Sequence, residues 1–377
     1  MARPLRWITV AAAALLAAAW FWPVDTTPTH SHDPSAHAGG PLERVSVAWI
    51  GHSLINARAP KIEGARNAIE LVGEFARAQG LAYEAFDHTL WGTSLSVLWR
   101  GGAHARERSA PEMRAQREAL FARSSPPDVL VLTEGVPLAG SLRFEHSAYY
   151  LQQFALAALE RNPDARIYLY ECWANFQALE RNNFIGPPSV YDWRAQLAAD
   201  RRLWDELADT AATVPLPPPG WRWRFERWFG SAAPLRTPSA PIFLVPIGSV
   251  FRRLALTPPA RRIQFRGRPL ELSDLFTNPY LAWPSEWPLA APLSRAEEDK
   301  RLATLPRREA ADAPDDIHPS DLGVYIASLT SFATLYRRSP VGLPSHVDGL
   351  AEADARALQE LVWELVRSDP RSGVRAD

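Results

Sequence analysis

The chain has 377 residues, 47% of them apolar, and 41 basic against 42 acidic side chains leave a net charge of −1. That length allows one large α/β domain or two smaller ones with a substantial core, and the even charge balance argues against nucleic acid or an anionic membrane surface as a partner. A single cysteine, Cys172, excludes an internal disulfide and a cysteine-rich metal site.

Residues 1 to 23 begin with Arg3 and Arg6 and continue as an apolar run from Trp7 to Trp22. A basic start before a short apolar stretch is the pattern of an export signal. The Trp20-Phe21-Trp22 cluster also suits a membrane boundary, so residues 7–22 are read either as a cleaved signal peptide or as a membrane tether. Export to the periplasm or the exterior is the expectation in both cases. Small-residue cleavage sites occur at the end of the Ala run and at Ala36-His37-Ala38. Residues 24–42 hold Thr, Pro, Ser, Gly and the histidines His30, His32 and His37. This composition reads as a flexible linker rather than a metal-binding tract.

A regular pattern starts at residue 43. Val45 to Ile50 is an apolar run expected to be the first strand, followed by Gly51-His52-Ser53-Leu54. Residues 61–79 carry apolar positions at helical spacing and stop at Gly80, a left-handed cap. Tyr83 to Leu90 suits a second strand, with Trp91-Gly92-Thr93-Ser94-Leu95 as the loop after it. A helix is expected over 110–123. Asp128 to Leu132 reads as a strand of the buried parallel kind, residues 146–161 as a helix, and Ala165 to Tyr170 as a fourth strand. Another helix follows over 192–211. Cys172, beside the fourth strand, reads as a buried, inert thiol.

Residues 212–240 break the rhythm. Leu216 to Gly220 is proline-rich, and Trp221, Trp223, Phe225, Trp228 and Phe229 then alternate with Arg222, Arg224 and Arg227. This insertion reads as an amphipathic elaboration, with a lid, a partner surface and a membrane contact as functional alternatives. Pro241 to Ile247 restores the pattern as a fifth strand, with a helix from Val250. Residues 263–312 read as irregular and rich in aromatics, including Tyr280, Trp283 and Trp287. Helices are expected over 319–338 and 349–367. Five strands alternating with helices predict a right-handed parallel α/β sheet covered on both faces. The expected organisation is one domain over 43–345 and a C-terminal helix and tail over 346–377.

A serine hydroxyl becomes a useful nucleophile only beside a base, and the base needs a group that sets its tautomer. Ser53 stands where α/β proteins place their chemistry, after the carboxyl end of a strand. Alone it reads more readily as an ordinary turn and helix cap. The strongest partner set lies far away, in Asp315-Asp316-Ile317-His318-Pro319. Its carboxylate precedes the histidine by three residues, close enough for Asp315 to take the Nδ1 proton of His318.

Taken together, Gly51-His52-Ser53-Leu54, the Gly92 loop, Thr133-Glu134-Gly135 and Asp315-x-x-His318-Pro319 resemble the four blocks of the SGNH (GDSL-like) hydrolases. The resemblance spans roughly residues 44 to 340 and is closest to a branch of exported proteins. There the third block ends in a glutamate-containing turn, and the last helix runs into a Ser-Pro-Val-Gly-like end, here Ser339 to Gly342. It implies a flavodoxin-like three-layer α/β/α sandwich with a five-stranded parallel sheet. It implies Ser53 as nucleophile, His318 as general base and Asp315 as its orienting carboxylate. The backbone N–H groups of Ser53 and Gly92 would line the oxyanion hole.

Two positions depart from the family. His52 replaces the usual aspartate, at a position with no catalytic role of its own. The third block lacks the asparagine that donates to the oxyanion, a loss that typically costs about 10²–10³ in turnover. Thr133 Oγ1, the Gly135 N–H, a protonated Glu134 and Asn56 are the candidates to replace it; otherwise Glu134 has a different job. The expected function is an exported serine esterase acting on small acyl esters, with acetyl groups on carbohydrate as one class, and needing no cofactor. The alternatives are an envelope polysaccharide O-acyltransferase and an inactive glycan-binding protein of the same fold.

Overall fold

Four apolar runs, each short enough for a strand and too short for a helix, form four of the five strands of the main sheet. In the computed structural model, residues 27–28, 33–58, 65–101, 110–176, 192–258, 263–278, 300, 304 and 315–375 are described. The expected export segment, His30, His32, Tyr280, Trp283 and Trp287 lie outside them.

The elements that build the site run in this order: β1 (Arg44–Gly51), α1 (Ser53–Asn56), α2 (Ala68–Ala78), β2 (Ala82–Thr89), α3 (Leu95–Arg100), α4 (Ala110–Phe121), β3 (Val129–Leu132), α5 (Leu138–Phe144), α6 (Ser147–Arg161) and β4 (Arg166–Tyr170). After these come α7 (Trp193–Thr213), α8 (Arg222–Trp228), β5 (Ile242–Val245), α9 (Ile247–Leu256), β6 (Gln264–Phe265), β7 (Arg268–Pro269), β8 (Phe276–Asn278), β9 (Asp315–Pro319), α10 (Asp321–Tyr336) and α11 (Glu352–Ser368).

The five main strands pair in the order β2-β1-β3-β4-β5, and every pairing is parallel. This is the flavodoxin-like order, with its switch point between β1 and β3. Strands β3 and β5 and the apolar part of β1 are buried on both faces, as a sheet covered by helices requires. Helix α2 packs against α10, while α3, α4, α6 and α7 pack in series. The result is the expected α/β/α sandwich.

Local signals account for the helices. Asn67 caps α2 in a capping box with Glu70. Asp192 caps α7 by accepting from the Arg194 N–H at 2.9 Å. Helix α10 is buried on every side from Leu322 to Tyr336, as a central helix is. Its Ser328, Thr330 and Ser331 hydroxyls return to carbonyls one turn back, at 2.7, 2.8 and 2.8 Å, which satisfies them without water.

Within the expected linker, the Gly39 N–H donates to Gly373 O at 3.1 Å and the Leu42 N–H to Tyr336 O at 2.9 Å. Within the insertion, Arg222–Trp228 form α8; Trp223 is buried, while Phe225, Trp228 and the flanking Trp221 and Phe229 are exposed. Among the described residues no helix is long and apolar enough to cross a membrane.

Candidate active site

β1 ends at Gly51, and the chain turns directly into the single-turn helix α1 with Ser53 as its first residue. Gly51 is there because the ends of β1 and β3 approach closely. A Cβ at this position would stand 2.5 Å from Thr133 Cγ2 and 3.0 Å from Ile55 Cδ1. His52 caps α1: its Nε2–H donates to the carbonyl of Glu134 at 2.8 Å, and its Nδ1 accepts from the Leu54 N–H at 3.4 Å. Those partners require the neutral ring. Burial pushes its pKa down to about 4, the hydrogen bond to Glu134 opposes that shift, and the neighbouring His318 adds to it. The Tyr170 hydroxyl donates to Leu54 O at 3.2 Å and holds α1 from the β4 side.

The second part of the site arrives on a strand. Asp315–Pro319 forms β9, antiparallel to β8, with Phe276 opposite Pro319 and Asn278 opposite Asp315. The segment after β4 grips this strand. Trp173 Nε1–H donates to Ile317 O at 2.8 Å, the Phe176 N–H to Asp316 O at 2.9 Å, and Asn175 Nδ2 to Asp316 Oδ1 at 3.1 Å. Ser320 then starts α10, accepting from the Gly323 N–H at 3.3 Å and donating to Asp274 O at 2.5 Å.

These anchors bring Ser53 and His318 together across 265 residues, with Ser53 Oγ 2.8 Å from His318 Nε2. On the other side of the ring, Nδ1 lies 3.1 Å from both carboxylate oxygens of Asp315. Asp315 Oδ1 also accepts the backbone N–H groups of Ile317 at 3.4 Å and His318 at 3.0 Å. Burial alone would raise its pKa; the hydrogen bonds and charge of His318 outweigh that, and the net shift is downward. The carboxylate is therefore ionised at neutral pH and orients a ring whose Nε2 is free to accept from the serine. Ser53 itself is buried, at 7% exposure.

Gly92 lies in the turn after β2 with φ +65°, a left-handed conformation that suits glycine. The turn is fastened by Thr93 Oγ1 to Leu90 O at 2.7 Å and by the Leu90 N–H to Gly51 O at 2.9 Å. Among the described residues, the N–H groups of Ser53 and Gly92 have no protein acceptor.

Of the four candidates for a further oxyanion donor, Thr133, Gly135 and Asn56 donate elsewhere. The Thr133 hydroxyl donates to Tyr170 O at 2.9 Å and takes the Cys172 thiol at 2.9 Å. The Gly135 N–H donates to Glu134 Oε1 at 2.7 Å. Glu134 is fully buried; its Oε1 also accepts the Leu95 N–H at 3.3 Å, while its Oε2 has no hydrogen-bond partner among the described residues. Asn56 Nδ2 donates to Thr89 Oγ1 at 2.5 Å, tying α1 to the end of β2. Cys172 is buried as expected, and burial pushes its thiol pKa far up.

One neighbour escaped the sequence reading. The Trp91 indole stacks on the His318 ring, with centroids 5.2 Å apart and planes at 22°, while remaining 50% exposed. Its position directly before Gly92 was the available signal. Among the described residues, no group of histidine, cysteine and carboxylate side chains could hold a metal ion.

No family model matches the sequence, and no curated protein matches it. Among solved structures, a DUF4886 family protein from Bacteroides uniformis is similar at 13% identity and TM-score 0.48, covering 86% of this chain and 96% of its own. A protein described as a GDSL-like lipase from Parabacteroides merdae is similar at 14% identity and TM-score 0.29, covering 59% and 86%. A catalytic mutant of Axe2, an acetylxylan esterase from Geobacillus stearothermophilus, is similar at 14% identity and TM-score 0.27, covering 59% and 84%.

Proposed function

We propose that the protein is a serine hydrolase of carboxylic esters, with Ser53 as nucleophile, His318 as general base and Asp315 as the group that orients it. The observation that carries this reading is the unbroken hydrogen-bond chain from Ser53 Oγ through His318 to Asp315, at 2.8 and 3.1 Å. Ser53 Oγ attacks the acyl carbon while its proton passes to His318 Nε2. The Asp315 carboxylate stabilises the resulting imidazolium through Nδ1–H. The carbonyl oxygen becomes an oxyanion facing the N–H groups of Ser53 and Gly92. Collapse breaks the bond to the alcohol, which leaves with the proton from Nε2. Water then attacks acyl-Ser53, gives its proton to His318, and the acid departs as Ser53 regains its hydrogen.

Small acyl groups, acetyl on carbohydrate among them, are the proposed substrates. The half-exposed indole of Trp91 supports this reading, because it offers a flat apolar face at the mouth of the site. If residues 1–23 direct export, the reaction takes place outside the cytoplasm.

The test is hydrolysis of 4-nitrophenyl acetate by the full chain beside Ser53→Ala and His318→Ala. Both variants are expected to lose activity by at least about 10³-fold. Equal rates in the three proteins would overturn the proposal. Covalent labelling by a fluorophosphonate, lost in Ser53→Ala, is the expected second result.

A further inference from the structure

Glu134 occupies the third block, where the family resemblance leads one to expect an oxyanion donor, yet its carbonyl oxygen and its carboxyl Oε1 both act as acceptors. Its carbonyl oxygen accepts His52 Nε2–H at 2.8 Å, and His52 in turn receives the Leu54 N–H. Through this route the residue sets the entry into α1 and the orientation of the Ser53 peptide. Its carboxylate Oε1 accepts the first N–H of α3, that of Leu95, at 3.3 Å. Leu95 lies three residues after Gly92, at the close of the same turn. The same oxygen accepts the Gly135 N–H at 2.7 Å, which folds the strand end back on itself.

The two peptides that face the oxyanion thus arrive on separate chain segments, after β1 and after β2. Glu134, two residues past the end of β3, is bonded to each segment, to His52 after β1 and to Leu95 after β2. Nearby polar groups reinforce the second attachment: the Ser94 and Ser96 hydroxyls reach Glu145 Oε2 at 3.1 and 2.6 Å.

We infer that Glu134 is a positioning residue that holds the Ser53 and Gly92 N–H groups at a common point, so that the oxyanion is bound by these two backbone donors. The inference rests on the proposed hydrolase reading. It assigns the glutamate a task a side-chain donor does not have: it accepts, and so fixes donors supplied by others.

The discriminating pair is Glu134→Gln and Glu134→Met, both close to glutamate in volume. Glutamine keeps an oxygen for the Leu95 and Gly135 N–H groups; methionine fills the space and accepts nothing. Full-chain wild type, both variants and Ser53→Ala are assayed with 4-nitrophenyl acetate, and folding is followed by thermal unfolding. Glu134→Met is expected to lower kcat by about 10²-fold, the cost of one misplaced oxyanion donor, with KM changed by less than about threefold. Glu134→Gln is expected to recover most of that kcat. A residue that served stability alone would not divide kcat from KM in this way.

If wild type exceeds Ser53→Ala but folded Glu134→Met keeps wild-type kcat, the positioning role is overturned and the hydrolase reading stands. If Glu134→Met does not fold, Glu134→Gln decides: a folded glutamine variant that loses kcat as a donor deletion would overturn the inference. If wild type and Ser53→Ala do not differ, the hydrolase reading falls, and the inference with it.

Discussion

Replacing Glu134 by glutamine also tests the state of its carboxyl through stability. Burial is the main cause that lifts its pKa from 4.5 to about 7; the Gly135 N–H, the Ser147 hydroxyl and the Leu95 N–H pull it down, and Glu145 pushes it up. A carboxyl whose folded pKa is raised binds its proton more tightly in the native state. Its contribution is fully present below the unfolded value and is lost as pH rises through the folded one. A shift of about 2.5 units at 1.36 kcal/mol per unit corresponds to roughly 3 kcal/mol across the window. Glutamine has no proton to lose. The difference in unfolding free energy, Glu134→Gln minus wild type, should therefore rise by up to roughly 3 kcal/mol between about pH 4.5 and 7 and be level outside that range. Urea unfolding at pH 4.5, 5.5, 6.5 and 7.5 measures it. His52, whose folded pKa is depressed, works in the opposite sense, losing stability as pH falls from 6.5 through about 4. It is present in both proteins and cancels in the difference. A difference that stays level from pH 4.5 to 7.5 would refute the reasoning, because Glu134 would then titrate alike in the folded and unfolded chain.

Asp315→Asn preserves an oxygen for the Ile317 and His318 N–H groups but favours the wrong tautomer of the ring; kcat is expected to fall by roughly 10⁴-fold with little change in melting temperature. Trp91→Ala removes the ring stacked on His318 and should lower kcat/KM by roughly 2- to 10-fold, with Trp91→Phe recovering much of the loss in the same ester assay. Gly51→Ala places a methyl 2.5 Å from Thr133 Cγ2, which should cost about 1–3 kcal/mol in urea unfolding and reduce activity by parting β1 from β3. Cys172 should react with a thiol reagent only after unfolding, as its burial and the raised pKa of its thiol require.

Most of the sheet was legible because β1, β3, β4 and β5 are almost wholly buried. Val129 to Leu132 and Ile242 to Val245 have no polar position to accommodate, so an apolar run bounded by turns marks each strand. The sequence also singled out Ser53, Asp315 and His318 as residue types suited to one another, and the folded chain sets them at hydrogen-bond distance.

What stayed hidden depends on contacts distant in the sequence. β9 looks like a loop because its pairing partner, Phe276–Asn278, is remote from it and only three residues long. Trp91 reads as a loop aromatic until His318 lies against it. For Glu134 the sequence leaves two readings open, a protonated donor and a different job. Its actual bonds reach Leu95 and His52, neither of which stands out by residue type.

The placement of Asp315 and His318 on one five-residue strand gives the site a single joint. Their mutual distance is set within that strand and by the two backbone bonds to Asp315. Sliding β9 against β8, or loosening the Trp173 indole from Ile317, would carry acid and base away together. The 2.8 Å gap between Ser53 and His318 would open, and the Trp91 stack on His318 with it. The hydroxyl would be disengaged while the imidazole kept its proton arrangement, ready for the gap to close again.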